Sequence, residues 1–225
     1  MTALPTFDPR QVPVLGIDDD LPAVPPQALL PKAIAQRFLG AHHWSPEMQS
    51  EPLFSNKALV HASVLIPLVE RKDGLTVLLT QRTSHLSSHS GQVAFPGGKA
   101  DPEDRNATAT ALREAQEEIG LASQFVDVLG EFPVYTTGSA FIITPVVALV
   151  RNGFTVSANP HEVADIFEVP LNFLMNPAHH RHHAVDWAGH RREWLSMPYE
   201  DGSAERFIWG ATAGILRNFY RFLLD

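Results

Sequence analysis

The chain has 225 residues, 44% hydrophobic and 19% charged, a balance that suits one compact domain of moderate size and argues against general disorder. A formal net charge of −8 disfavours a broad surface for nucleic acid or anionic membrane, and the lack of any cysteine excludes disulfides, thiolate metal sites and cysteine nucleophiles. No basic region followed by a long apolar run opens the chain, and no run of about 18 apolar residues occurs anywhere, so the expectation is a soluble, unexported, cytoplasmic protein.

From Thr2 onward, prolines at positions 5, 9, 13, 22, 25 and 26 and the acidic run Asp18 to Asp20 predict an extended arm. "PKAIAQRFLGAHH" predicts one short helix ending near Gly40. Ala58 to Glu70 and Gly74 to Arg82 are β-prone runs separated by "RKDG", a turn signal, and read as a hairpin. "QVAF" reads as a short strand stopped by "PGG", and an alanine-rich helix follows from about Ala107 to Gly120, the residue type that commonly ends a helix. "FVDVLGEFPV" and "FIITPVVALV" are again β-like, "HEVADIFEVPLNFLMN" mixes a strand with a short helix, and "HRREWLSMPYEDG" reads as strand and turn. "AERFIWGATAGILRNFYRFLL" is expected to close the chain as one long helix, with Ile208, Ala211, Ile215, Phe219 and Phe222 on its apolar face. There is no internal repeat. Strands on both sides of a central helix, with a second long helix at the end, predict an α/β/α sandwich around a mixed sheet.

The chemistry concentrates in "TALREAQEEIGL". Glu114, Glu117 and Glu118 stand at i, i+3 and i+4 and therefore share one helix face, where like charges destabilise by roughly 0.2–0.5 kcal/mol per pair. A solvated face is the ordinary explanation of such a cluster. Its surroundings point elsewhere: "FPGG" (Phe95 to Gly98) lets a backbone approach a ligand or ion and offers carbonyl oxygens, and Arg113 precedes the first glutamate. Carboxylates with a carbonyl suit a hard divalent cation, Mg²⁺ or Mn²⁺, bridging protein to substrate phosphates. A cation would also relieve the repulsion among the three charges.

"GGKADPEDRNATATALREAQEEIGL" resembles the Nudix box: a glycine, five residues, an acid, seven residues, then Arg-Glu-aliphatic-x-Glu-Glu-x-Gly-aliphatic. Arg113 through Leu121 matches the second half throughout. In the first half Asp104 replaces glutamate and eight residues separate it from Arg113, which puts it out of the family's register as the partner of that arginine. Upstream, Leu78 to Gly98 resembles the signature of coenzyme A pyrophosphatases, with Arg82, Thr83, Gly91 and "FPGG" in register and Ser87 in the place of a second arginine. The resemblance covers roughly residues 58 to 223, so residues 1–57 are expected to be an arm with a short helix and 58–225 a Nudix hydrolase domain.

The resemblance implies hydrolysis of a nucleoside diphosphate linked to another group. It implies Glu114, Glu118, Glu117 and the carbonyl of Gly98 as metal ligands, Arg113 as part of the catalytic box, and either Glu117 or Glu162 as the base that activates water. Arg82, with Gly97 and Gly98, is the candidate for phosphate contact, an ion pair at a strand end being the alternative. Coenzyme A, or an acyl derivative, would yield 3′,5′-ADP and a 4′-phosphopantetheine. NADH, ADP-sugars and diadenosine polyphosphates are the alternative substrates, and a non-catalytic nucleotide sensor is the alternative class. The partners expected are a small nucleotide and, in a homodimer, a second copy of the chain.

Other residues carry ordinary readings. "HHRHH", His179 to His183, invites zinc but reads as a solvated loop, because consecutive histidines cannot all face one ion. His85, His89, Arg191 and Arg192 read as surface residues, and Trp194, Phe207 and Trp209 as core or dimer packing. Lys99 is followed by Ala100 rather than Ser or Thr, so the glycines do not form the phosphate loop of a kinase or GTPase.

Overall fold

The computed structural model describes residues 8–40, 44–53, 57–83, 91–187, 190–202 and 204–224. In chain order the elements are β1 (Gly16–Ile17), α1 (Pro31–Leu39), β2 (Val60–Arg71), β3 (Gly74–Arg82), β4 (Val93–Ala94), β5 (Gly97–Lys99), α2 (Ala107–Ile119), β6 (Val126–Glu131), β7 (Tyr135–Thr136) and β8 (Phe141–Val150). They continue with β9 (Val163–Pro170), α3 (Leu171–Leu174), β10 (Arg181–Trp187), β11 (His190–Glu200), β12 (Glu205–Trp209) and α4 (Gly210–Leu224). The chain thus has the mixed-sheet sandwich that the order of elements predicts.

The main sheet runs β4-β3-β2-β8-β6, with β5 also on β2, β7 on β8 and β9 on β3. Among the described strands of this sheet only β2 and β8 pair in parallel, from Val60 opposite Phe141 to Val69 opposite Val150. The hairpin of β2 and β3 holds together over Leu68–Arg71 and Gly74–Val77, closed at Gly74, whose φ of 121° favours glycine. Beyond that the two strands part. β5 takes the freed edge of β2, at Ala62, Ser63 and Val64, and β4 takes that of β3, at Thr80 and Gln81. "FPGG" therefore crosses a gap opened inside the sheet.

Alternation along β2 supplies both cores, since successive side chains leave opposite faces of a strand. Leu65 and Val69 join Leu78, Val146, Ala148 and the Ala111, Ala115 and Ile119 stripe of α2. Ile66 and Leu68 join Val77, Leu79, Val147 and the Ile215, Leu216, Phe219 and Phe222 face of α4. Each buried Leu, Ile or Phe stabilises the fold by roughly 1.5–3 kcal/mol. A second, antiparallel sheet, β1-β10-β11-β12, adds Leu195, Met197 and Ile208 to the α4 core.

Three expectations need correcting. The last helix begins only at Gly210, because the aromatic and β-branched run Phe207-Ile208-Trp209 pairs with β11 and Gly210, at φ 60°, turns the chain into the helix. The proline-rich segment is extended over much of its length, but it is packed on the domain: β1 pairs with β10, and Val24, Leu29 and Ile34 are buried in the α4 core. "HHRHH" is not a solvated loop, since β10 starts within it and His180 and His183 are buried.

His180 is locked as a neutral ring. Its Nε2 lies 2.8 Å from the carbonyl of Leu174 and so donates, and its Nδ1, 3.0 Å from a guanidinium nitrogen of Arg217, accepts. Arg217 is itself buried and ion-paired with Asp18 and Glu47, which ties the N-terminal segment to α4. Burial, and secondarily the Arg217 charge, push the His180 pKa down to about 4. Below the ordinary histidine pKa of about 6.5 the unfolded chain takes up a proton that the native ring refuses, so stability falls as pH drops from about 6.5 to 4, by up to about 3 kcal/mol. Urea unfolding across that range should show the loss, and His180→Gln should flatten this part of the profile even though it lowers stability overall.

Candidate active site

Helix α2 is a short, well-bounded element that presents the carboxylates. Asn106 caps its start, its side-chain oxygen accepting from the amide of Ala109 at 2.8 Å, and Gly120 ends it in the left-handed conformation at φ 67°. With Ala111, Ala115 and Ile119 turned into the sheet, Glu114 and Glu118 are carried to the side of the helix that faces β5.

The glycines make this approach possible. A Cβ on Gly98 would lie 2.4 Å from the carboxylate of Glu114, and one on Gly97 would lie 2.4 Å from the carbonyl oxygen of Ser63 and 2.6 Å from the Cα of Val64. The amide of Gly97 donates to Oε2 of Glu118 at 3.1 Å, and Oε1 of Glu118 faces Arg82 at 3.5 Å. Glu118 is 3% exposed, and burial, reinforced by Glu114 and Glu162 and partly offset by the Gly97 amide and Arg82, pushes its pKa up to about 7. Burial also raises Glu114, against the pull of Arg113 and with a further push from Glu117 and Glu162. Glu162 belongs to a turn seated on the end of α2: the amide of Asn159 donates to the carbonyl of Glu118, and that of Glu162 to Asn159.

Arg113 organises the rim. Its guanidinium holds both oxygens of Asp104, at 3.1 and 2.9 Å, the carbonyl of Lys99 at 2.9 Å, and Glu114 and Glu117 at 3.0 Å each. Asp104 is therefore the partner of Arg113 after all. Asp104 closes a turn with Asp101, its amide donating to the Asp101 carbonyl, and its carboxylate also accepts from the Asp101 amide and the Thr110 hydroxyl, which fixes the shorter side chain against Arg113. Arg113 holds the Asp104 carboxyl far below the usual range. Glu117 stands apart from the other two glutamates, its side chain 57% exposed at the outer edge of the site.

Among the described residues no three acidic or histidine side chains form a finished metal cage. The oxygens of Glu114 and Glu117 turn to Arg113, and that of Glu118 to the Gly97 amide. The donor set nonetheless fits a hard divalent cation: the carboxylates of Glu114 and Glu118 are oxygen ligands held against a glycine main chain, both raised in pKa by burial and by neighbouring carboxylates. Mg²⁺ in particular keeps several waters and needs few protein ligands.

Beside the carboxylates lies a cavity of about 420 Å³ in the gap between β2 and β3, lined by Arg82, Gly97 and Gly98 and walled by Val64, Phe141, Ile143, Trp209 and Ile215. Three further lining residues carried no clear sequence signal: Glu51, Thr137 and Ser139. Arg192 is also there rather than on the open surface, its side chain 16% exposed beside Glu51, whereas Arg191 is exposed and pairs with Glu193. Trp194 and Phe207 are core residues, as expected. Ser87, His85 and His89 lie outside the described residues.

The two glycines should respond differently to alanine. Gly97→Ala meets backbone and should cost about 1–3 kcal/mol of stability. Gly98→Ala meets only the end of a flexible side chain, so the melting temperature should hardly move while Mn²⁺ affinity, measured by calorimetry, falls. Equal melting temperatures for the Gly97→Ala and wild-type proteins would contradict the packing described.

Comparison with known proteins supplies the family. The NUDIX domain family matches residues 59–194. The chain is 45% identical over 158 residues to a protein of Yersinia enterocolitica called uncharacterized Nudix hydrolase NudL, covering 70% of this chain and 78% of that one. It is 43% identical over 157 residues to the protein of the same name from Yersinia pestis, covering 70% and 76%. A solved structure of a Caenorhabditis elegans Ap4A hydrolase complex is similar at 20% identity and a TM-score of 0.44, over 53% of this chain and 86% of that one. With the family matched over most of its length and with relatives of this identity, the chain belongs to the Nudix hydrolase family.

Proposed function

We propose that the protein is a Mg²⁺- or Mn²⁺-dependent hydrolase of a pyrophosphate linkage in a nucleoside diphosphate derivative, with coenzyme A or its thioesters as the substrate. The observation that carries the reading is the convergence of Glu114 and Glu118 on the glycine main chain, with the charge of Glu162 near both, beside a cavity that also contains Arg82. Nudix hydrolases generally use such cations. The coenzyme A assignment is supported by the register of Arg82, Thr83, Gly91 and "FPGG" with the coenzyme A pyrophosphatase signature.

Glu114 and Glu118, with the Gly98 carbonyl and Glu117 at the margin, would hold the cation. When bound, it supplies charge neutralisation for the phosphates and activation of water. Arg82 donates to a phosphate oxygen, which a planar guanidinium suits. Glu162 is the preferred base, because it bears on Glu114 and Glu118 from a turn packed against α2, whereas Glu117 is engaged by Arg113. It accepts the proton of the water that attacks phosphorus, and the pyrophosphate bond breaks to give 3′,5′-ADP and 4′-phosphopantetheine. Arg113 holds the β5 loop and the carboxylates in register.

Incubation with coenzyme A, NADH, ADP-ribose and a diadenosine polyphosphate, with and without Mg²⁺ or Mn²⁺, with products identified by mass, tests this directly. Metal-dependent release of 3′,5′-ADP is the expected result. Preference for another compound would overturn the substrate, and absence of turnover on all of them would overturn the enzyme. Glu118→Gln should lower kcat by about 100-fold or more. The same change should leave the metal-free melting temperature at pH 8 unchanged or higher, because it removes a buried charge that the fold holds ionised at a cost.

A further inference from the structure

The cavity has a second charged end, far from the carboxylates. Its near end is set by Gly97 and Gly98 opposite Val64 and Ser63 of β2, and its far end by Phe141 opposite Val60. Three to four residues of strand separate the two ends, about 10–13 Å at ~3.3 Å per residue. At the far end Glu51 is fastened by the hydroxyl of Tyr135 at 3.2 Å and the amide of Gly138 at 3.1 Å, and it holds Arg192 at 3.5 Å. Glu51 lies before the span matched by the family, in a segment attached by the hydrogen bond from its own amide to the carbonyl of Thr136.

We infer that Arg192 is a specificity-determining residue that binds a phosphate carried on the ribose of the substrate, separate from the pyrophosphate being cleaved. This rests on the coenzyme A reading. Three observations support it. The cavity is lined by two guanidinium groups, Arg82 beside the carboxylates and Arg192 at the other end, and between them the walls are largely apolar, as a nucleoside requires. Arg192 lies beside Glu51, 3.5 Å from its carboxylate, and over the ring of Trp194, and Glu51 keeps two other donors when Arg192 turns toward a ligand. The hydroxyl groups of Thr137 and Ser139, 3.0 Å apart, line the same cavity and add neutral hydrogen-bonding capacity. Because Ser87 replaces the second arginine of the signature, Arg192 supplies a second cation from a different strand. A mononucleotide together with the reach of an arginine side chain spans the distance between the two ends.

The test compares coenzyme A with 3′-dephospho-coenzyme A as substrates of the full chain in Mg²⁺. Wild-type protein should prefer coenzyme A by about tenfold or more in kcat/KM, the loss expected when a charge-assisted hydrogen bond is removed. In Arg192→Gln that ratio should fall toward one through a higher KM for coenzyme A, and Arg192→Lys should retain part of it. A wild-type ratio of one overturns the proposal without needing any variant. So does a ratio that survives in Arg192→Gln protein whose melting temperature shows it folded. Cleavage of neither compound overturns the coenzyme A reading along with it, and is thereby distinguished from equal cleavage of both.

Discussion

A glycine main chain pressed between a strand and a helix is the constraint on which the site depends. β5 lies against β2 so closely that a single methyl group on Gly97 would strike the backbone of Ser63, and on its other side Gly98 lies under the carboxylate of Glu114. That approach lets one backbone amide reach Glu118 inside the protein. It exists because β2 and β3, paired at the closed end of their hairpin, separate and admit β4 and β5 into the gap. The cavity and the carboxylate cluster are two sides of the same separation.

The electrostatics divide the glutamates that the helix puts side by side. Glu117 is exposed and paired with Arg113, and what it adds is a further push on Glu114. Glu118 is buried, near an arginine but opposed by Glu114 and Glu162, and its carboxyl resists ionisation. A site in which desolvated carboxylates face one another is costly to the fold alone and is relieved by a cation, which is how perturbed carboxylates come to mark functional positions. Arg113 plays the opposite part, spending its donors on Asp104, the Lys99 carbonyl and two glutamates to hold loop and helix together.

The N-terminal segment shows how far the domain extends past the recognised motif. Asp18 and Glu47 neutralise the buried Arg217, Ile34 enters the α4 core, and Glu51 reaches the cavity. Proline-rich composition describes a backbone that forms no long helix or strand; it is silent on whether that backbone is bound. The attachments are single residues separated by tens of positions from their partners, with no periodicity to announce them.

Local pattern was enough for the elements that obey local physics. The 3.6-residue stripe of Ala111, Ala115 and Ile119, the glycine at its end, and the spacing of Glu114 and Glu118 determine α2 and its acidic face. The hairpin at Asp73-Gly74 and the run from Arg113 to Leu121 are equally local. Tertiary structure decided what depends on contacts between distant segments: that Asp104 reaches Arg113 despite the longer loop, that Phe207 to Trp209 joins β11 instead of α4, that two histidines of "HHRHH" are buried, and that Glu51 and Arg192 meet in the cavity. The physical reason is the same in each case. Propensity and spacing act over a few residues of one chain segment, whereas burial and charge pairing are set by whichever segments the sheet brings alongside.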